Sequence, residues 1–477
     1  MELGQLSNQG KAGEKDQGIS PAWPAVPDRS GPHAKRTRNL AGTAGQAGAS
    51  LGNNSNDVTP EDGKWAVERR KNSYLHHLEL QRMMFAREAE LKAEIEALRG
   101  LQEAPGGVEG ALARVTHLAE QMKVSRHSAR LCGDILVPTH GTRKNGTKYK
   151  TGSPGHVRID RYGADRADYV WTRRCGSVWF CLGCASKIYA KRREELQQAF
   201  AYFQDKKKTY SFVTLTFPHT NQETLTDTME RLGKAVRELR AGKAWTLFKQ
   251  RFALEHIIRA TEVTYSDYAG FHPHFHLLFV YDRERMTPEE VQAIEGFLRD
   301  RWSRICINNG LIASEQKRLE HLERGVDVQT GVNPVDWGYL AKIKVWEMAS
   351  TTSKTPRKKG HLSPWDLFAL AKEGNPKYKA LWFDFMAAMR GRAAIRWSPG
   401  LKRLVGVDEE TDSEIVQGKQ AELMYIVEKD SFRKIVKAKA KVRVLEAVEA
   451  GLAGDVQRCS EVENEFELIL AMGEPPG

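Results

Sequence analysis

Two rhythms of apolar and polar positions divide the chain. Tyr210–Pro218 alternates β-branched and aromatic residues and stops at proline, which predicts a strand with Thr214 and Thr216 on one face. Phe252 to Tyr265 predicts a second strand, ending in Thr261-Glu262-Val263-Thr264-Tyr265. Ser266-Asp267-Tyr268-Ala269-Gly270 predicts a loop. A third strand follows, because Phe275 to Val280 is apolar apart from His276. Strand side chains alternate, so His274 and His276 share one face and Phe275 points to the other. If the loop closes a hairpin in which Tyr265 faces Phe271, the ladder puts Glu262 opposite His274.

Elsewhere the rhythm is helical. Lys64 to about Leu101 lacks proline, lacks glycine before Gly100, and repeats Met84, Leu91 and Leu98 every seven residues with Ile95 between. This predicts a charged helix, either a short coiled coil or a helix lying on the domain, broken at Pro105-Gly106-Gly107. Ala185–Phe203 is amphipathic and basic (Lys187, Lys191, Arg192, Arg193), and Thr224–Leu239 is a further helix. Met286–Arg304 starts well with Thr287-Pro288-Glu289-Glu290. Asn333-Pro334 opens another helix, on which Tyr339 and Lys342 share a face. Beyond Lys354–Gly360 the pattern is mostly helical, with Trp365–Phe368 and Leu381–Phe385 as its apolar blocks and a basic cluster from Lys434 to Arg443.

Composition refines this. Residues 1–62 are rich in Gly, Ser, Asn, Pro and Ala and cannot bury enough surface to offset the entropy of ordering, so they read as a disordered tail. The 477 residues carry 73 Lys and Arg against 61 Asp and Glu, a formal charge of +12 that favours polyanionic partners. No apolar run is long enough to cross a membrane, and Met1–Gln5 lacks the basic-then-apolar start of a secretory signal. A cytoplasmic, reducing location is expected, in which the 6 Cys serve as thiols or metal ligands rather than disulfides.

Two constellations carry chemistry. His274 and His276 beside Glu262 form a mixed imidazole and carboxylate set that leaves positions on a divalent ion open, as a catalytic Mg²⁺ or Mn²⁺ acting on a phosphate requires. His272 shares the strand face but precedes Pro273 and is a secondary candidate. Cys175, Cys181 and Cys184 have the spacing of a zinc knuckle. Cys132, in Cys132-Gly133, is the best fourth ligand and His156 the reserve, while Cys306 and Cys459 stand alone and read as structural.

Gly270-Phe271-His272-Pro273-His274-Phe275-His276 resembles the His-hydrophobic-His motif of the HUH endonuclease superfamily, and especially its form in plasmid rolling-circle replication initiators. Three further segments fit that resemblance. Phe212-Val213-Thr214-Leu215-Thr216 resembles the first initiator motif, the Tyr-x-x-Lys spacing of Tyr339 and Lys342 the third, and the cysteine element a feature that precedes the nuclease core. The cysteine element lacks the Arg-x-Cys-Pro common in the family, and Val335 stands where one branch has a glutamate. The resemblance implies an α+β fold, an HUH core with a central antiparallel sheet flanked by helices, a Cys-rich zinc-binding subdomain and a helical C-terminal region. It divides the chain into a tail at 1–62, a charged helical region at 63–130, the Cys-rich subdomain with its basic helix at 131–204, the nuclease core at 205–350 and an accessory region at 351–477.

The implied activity is nicking and rejoining of single-stranded DNA at a bacterial plasmid origin. Tyr339 would be the nucleophile, Lys342 would neutralise the phosphate, and Asp336 is the nearest acid to serve as water base, with Glu347 the other candidate. The implied partners are origin DNA, host helicase and the replication machinery. Two other readings are open: an HUH transposase or conjugative relaxase, and a zinc-dependent DNA-binding regulator without enzymatic activity.

Overall fold

The computed structural model describes residues 60–330 and 361–455, apart from 103–107, 135, 137–138, 143–147, 153–155, 163–165, 219–222 and 418–421, together with residues 457, 460 and 464. Nearly all of the expected tail, the helix break at 105–107, Cys459, and the segment bearing Asp336, Tyr339 and Lys342 lie outside the described residues.

Helices α1 (Pro60–Gln102) and α2 (Val108–Ser125) come first. The seven-residue stripe of α1 is buried within this chain. Met84 joins the main core, and Leu91 packs with Leu118 and Met122 of α2, with Leu98 beside them. A single 3-10 turn, Ser128–Leu131, then leads to Cys132. Four short strands follow: β1 (Thr139–Thr142) pairs with β2 (Lys148–Gly152), and β3 (His156–Tyr162) with β4 (Arg166–Val170). Helix α3 (Leu182–Asp205) starts immediately after Cys181 and carries the basic positions expected of it.

The central sheet is built from β5 (Thr209–Leu215), β6 (Leu254–Ser266), β7 (Gly270–Tyr281), β8 (Val326–Thr330) and β9 (Ile395–Trp397). Its order is β8-β5-β7-β6-β9, with every neighbour antiparallel. The β6–β7 hairpin has the expected register, Tyr265 opposite Phe271 and Glu262 opposite His274. One face of the sheet presents Phe275, Leu277 and Phe279 to α4 (Leu225–Leu239), α5 (Gly242–Phe252), α6 (Pro288–Asn308) and the helix Pro376–Met389. Phe275, Phe279 and Trp302 are fully enclosed there, each contributing on the order of 2–3 kcal/mol by apolar burial. Helix α6 starts as its sequence predicts, with a reciprocal capping box between Thr287 and Glu290.

The opposite face alternates with the first. Leu278 and Val280 of β7 and Ile258 and Ala260 of β6 pack under Leu196, Phe200 and Phe203 of α3. Toward the other end of the same strands this face carries His276, His274 and Glu262. Helix α3 therefore seals half of the face and leaves the histidine end accessible.

The C-terminal region corrects one expectation. It is helical over Pro364–Lys372, Pro376–Met389, Lys429–Lys437 and Lys441–Leu452, but it also supplies two strands. Strand β9 extends the central sheet beside β6, and β10 (Glu422–Glu428) joins β3 in a three-stranded sheet of order β10-β3-β4. A strand of three residues is too short to show a period, and β10 buries only Val427, so it shows no alternation. The smaller sheet has its own core of Val157, Ile159, Tyr169, Val427, Phe432 and Ile435. Among the described residues, no helix is long and apolar enough to cross a membrane.

Candidate metal centre

Glu262, His274 and His276 come together because the hairpin register places Glu262 beside His274, and strand alternation adds His276 two residues on. Glu262 Oε2 lies 2.9 Å from His274 Nε2 and 2.8 Å from His276 Nε2. Two further contacts fix the His276 ring. Its Nδ1 lies 3.2 Å from Thr214 Oγ1 on the neighbouring strand, and Phe212 stacks on it at 5.1 Å between ring centres. A ligating histidine whose second ring nitrogen is held in this way has its tautomer and orientation set.

The donor set fits a small divalent cation. Cis ligands around an octahedral ion with bonds of about 2.1 Å lie roughly 3.0 Å apart, close to the two nitrogen–oxygen separations. His274 Nδ1 is buried without a hydrogen-bond partner. His272 is adjacent but differently engaged. Its ring centre is 5.3 Å from that of His274, its Nε2 lies 2.8 Å from Thr216 Oγ1, and it is outside the three-residue group. Thr214 of β5 and Thr216 just past its end thus each address one histidine.

The second cluster is Cys132, Cys175, Cys181 and Cys184, whose sulfurs all lie within 4.8 Å of one another. Cys184 Sγ is 3.5 Å from Cys132 Sγ and 3.6 Å from Cys175 Sγ. Tetrahedral zinc with bonds of about 2.3 Å places its sulfurs roughly 3.8 Å apart, so the four thiols fit it with little movement. Cys132, and not His156, completes the set. Gly133 and Gly176, each directly after a ligand, have φ of +78° and +66°, backbone that a side chain strains to adopt and that turns the chain back over the sulfur. The Cys175 and Ser177 amides donate to Cys132 Sγ and Cys175 Sγ, both at 3.4 Å. Hydrogen bonds from Cys175, Cys181 and Cys184 hold the Cys132 thiol well below its ordinary range, while Cys175 and Cys181 are pushed up, chiefly by the bonds they make to Cys132. Three of the four cysteines are buried and Cys175 is half-buried, an enclosed sulfur set that suits a cation. Cys306 is different: it lies alone in α6, and burial pushes its thiol up.

A cavity of about 190 Å³ lies beside Glu262, with the turn between Cys175 and Cys181 in its wall. Its wall includes Glu262 and Thr264 from β6, Trp179 from the turn between Cys175 and Cys181, Tyr189 from α3, and His361 and Trp365. The cysteine knuckle therefore shapes the space beside the carboxylate. The basic face of α3 is largely neutralised within the chain: Lys187 pairs with Asp168, Lys191 with Glu410, and Arg192 with Glu195 and Asp412. Phe212 was not legible as a site residue, since a strand aromatic reads first as core.

Residues 168–305 match the family model described as replication protein. This span contains Cys175, Cys181, Cys184, Thr214, Glu262, His274 and His276. Among curated proteins, the chain is 25% identical over 296 residues to a "Protein rep" of Streptomyces lividans, covering 49% of this chain and 64% of that protein. It is 30% identical over 146 residues to a "Neomycin resistance protein" of Streptomyces cyanogenus, covering 26% of this chain and 33% of that protein. The chain thus spans less than two thirds of the length of these relatives. No solved structure matches it.

Proposed function

We propose that the chain, whose residues 168–305 match the replication protein family model, is a plasmid rolling-circle replication initiator that nicks and rejoins single-stranded origin DNA. The observation that carries this reading is the convergence of His274 and His276 on one oxygen of Glu262 inside the family-matched segment. Glu262, His274 and His276 would hold Mg²⁺ or Mn²⁺, which when bound polarises a phosphate and stabilises the charge that develops on it.

The chain's own groups do the rest. Thr214 and Phe212 keep His276 oriented. The cavity beside Glu262, with Trp179 and Trp365 in its wall, receives the nucleotide next to the scissile phosphate. The Tyr339 hydroxyl oxygen attacks phosphorus and loses its proton, the bond to the 3′ oxygen breaks, and that oxygen leaves as a 3′-OH able to prime synthesis. The product is a 5′-phosphotyrosyl bond, and rejoining is the reverse transfer. Lys342 neutralises the phosphate, and Asp336 is the nearest acid to activate water at termination. These three assignments rest on motif order. Cys132, Cys175, Cys181 and Cys184 would hold structural Zn²⁺, and host helicase and polymerase would take over the primer end.

Incubating the full chain with single-stranded DNA from its own plasmid origin and Mg²⁺ or Mn²⁺ tests this. The expected result is a metal-dependent nick and a covalent DNA–peptide adduct at Tyr339, with Tyr339→Phe binding DNA but forming no adduct. No nick with either metal would overturn the enzymatic reading. An adduct at another residue, such as Tyr265 or Tyr378, would remove the assignment of Tyr339.

A further inference from the structure

On the sheet face opposite Glu262, Arg259 of β6 stands directly across the ladder from Arg396 of the edge strand β9. Like charges facing each other across a ladder repel. Three more arginines add to the same field: Arg237 and Arg240 at the end of α4, and Arg392 before β9. Among the described residues, none of these five forms an ion pair. Arg240 donates to Val236 O of α4 at 3.3 Å, and Arg392 to Ala388 O of the preceding helix at 2.7 Å. Arg259 lies over the Phe275 ring at 4.4 Å, and its Nε is buried without a partner. Burial, then the charges of Arg396, Arg240, Arg237 and Arg392, lower Arg259 to about 10, while Glu230 offsets part of the repulsion at Arg392.

Beside the cluster is an open depression of about 300 Å³ walled by Arg237, Arg240, Trp245, Lys249, Ile257 and Ser398. Glu255, also in its wall, is tied to Lys208 at 2.5 Å. Arg237 and Arg240 line this depression, and Arg259 beside it carries an unsatisfied buried donor; guanidinium groups so placed match the tetrahedral oxygens of phosphate. Their spread over a helix end, an inner strand and an edge strand suits successive phosphates along a strand.

We infer that Arg237, Arg240, Arg259, Arg392 and Arg396 form a second DNA contact, which binds backbone phosphates on the sheet face opposite the metal cluster. This rests on the DNA-nicking reading above. It means that origin DNA is held on both faces of the sheet, with the edge strand β9 between them.

The test is binding of labelled single-stranded and hairpin duplex DNA to the full chain over a range of salt, for wild type, Arg396→Gln and Arg259→Gln/Arg396→Gln. The double variant should bind roughly tenfold more weakly, with the slope of log affinity against log salt reduced by about 1–2. The exposed Arg396→Gln alone should show a smaller loss in the same direction. A loss confined to the hairpin assigns the contact to origin duplex, and a loss confined to single strands assigns it to the nicked strand. Because the variants relieve repulsion, their melting temperature at low salt should hold or rise. A melting temperature that falls together with affinity would make these arginines structural and overturn the inference. So would unchanged affinity and slope for both DNA forms, and in that case metal-dependent nicking by the wild type would still stand. Absence of nicking by the wild type would instead remove the functional reading itself.

Discussion

His76 makes the packing of α1 on the cysteine knuckle sensitive to acid. It is buried, with its ring 4.1 Å from Phe368 and 5.2 Å from Trp365, and its Nε2 lies 3.3 Å from the carbonyl of Phe180, next to Cys181. Burial pushes its pKa from 6.5 down to about 3. Between those values the unfolded chain binds a proton that the folded chain refuses, so stability is complete above pH 6.5 and falls as pH falls toward 3. At pH 5 the single-site relation gives a loss of about 2 kcal/mol relative to neutral pH. Replacing His76 with Gln keeps a donor for the Phe180 carbonyl and removes the titration. Urea unfolding of both proteins, followed by tryptophan fluorescence at pH 7.5 and pH 5, isolates the effect, because zinc loss and carboxylate titration are common to the two. Wild type should be the more stable at pH 7.5, and the gap should narrow by about 2 kcal/mol at pH 5. A gap that is the same at both pH values would refute the argument.

Three other outcomes are expected. Thr214→Val removes the oxygen beside His276 Nδ1 and should weaken Mn²⁺ binding roughly 10- to 100-fold by titration calorimetry, with melting changed little. Cys181→Ser or Cys184→Ser should release zinc and expose the segment from Cys132 to Cys184 to protease, as elemental analysis and limited digestion would show; wild type without zinc under reducing conditions would contradict this. His274→Ala should abolish metal-dependent nicking while DNA binding falls less than about threefold, since binding is spread over many phosphate contacts; an equal loss of both would point to folding instead.

The hairpin was legible because one pairing fixes all the others: once Tyr265 faces Phe271, the two-residue period delivers Glu262 to His274 without further information. The knuckle was legible because thiolates two residues apart have few geometric uses, and Cys132 because a glycine follows it. What could not be read is whatever depends on closure of distant segments. Nothing near Ile395 says that it lies against Ala260, so the opposition of Arg259 and Arg396 is invisible in either stretch alone. The stripe Met84, Leu91, Leu98 was legible as apolar, but the surface that covers it is supplied by α2 and the main core.

The pairing of β10 with β3 bears on how the protein is made. The β3–β4 hairpin is complete at Val170, and its third strand begins at Glu422, roughly 250 residues later. At about 5–20 residues per second, the ribosome delivers that strand roughly 13–50 s after the hairpin. During this interval the outer edge of β3 presents unpaired amides and carbonyls, and Val157 and Ile159 lack the cover of Val427, Phe432 and Ile435. The nascent chain thus carries an open edge through most of its own synthesis, and a message cut short before residue 422 yields a product in which that edge never closes.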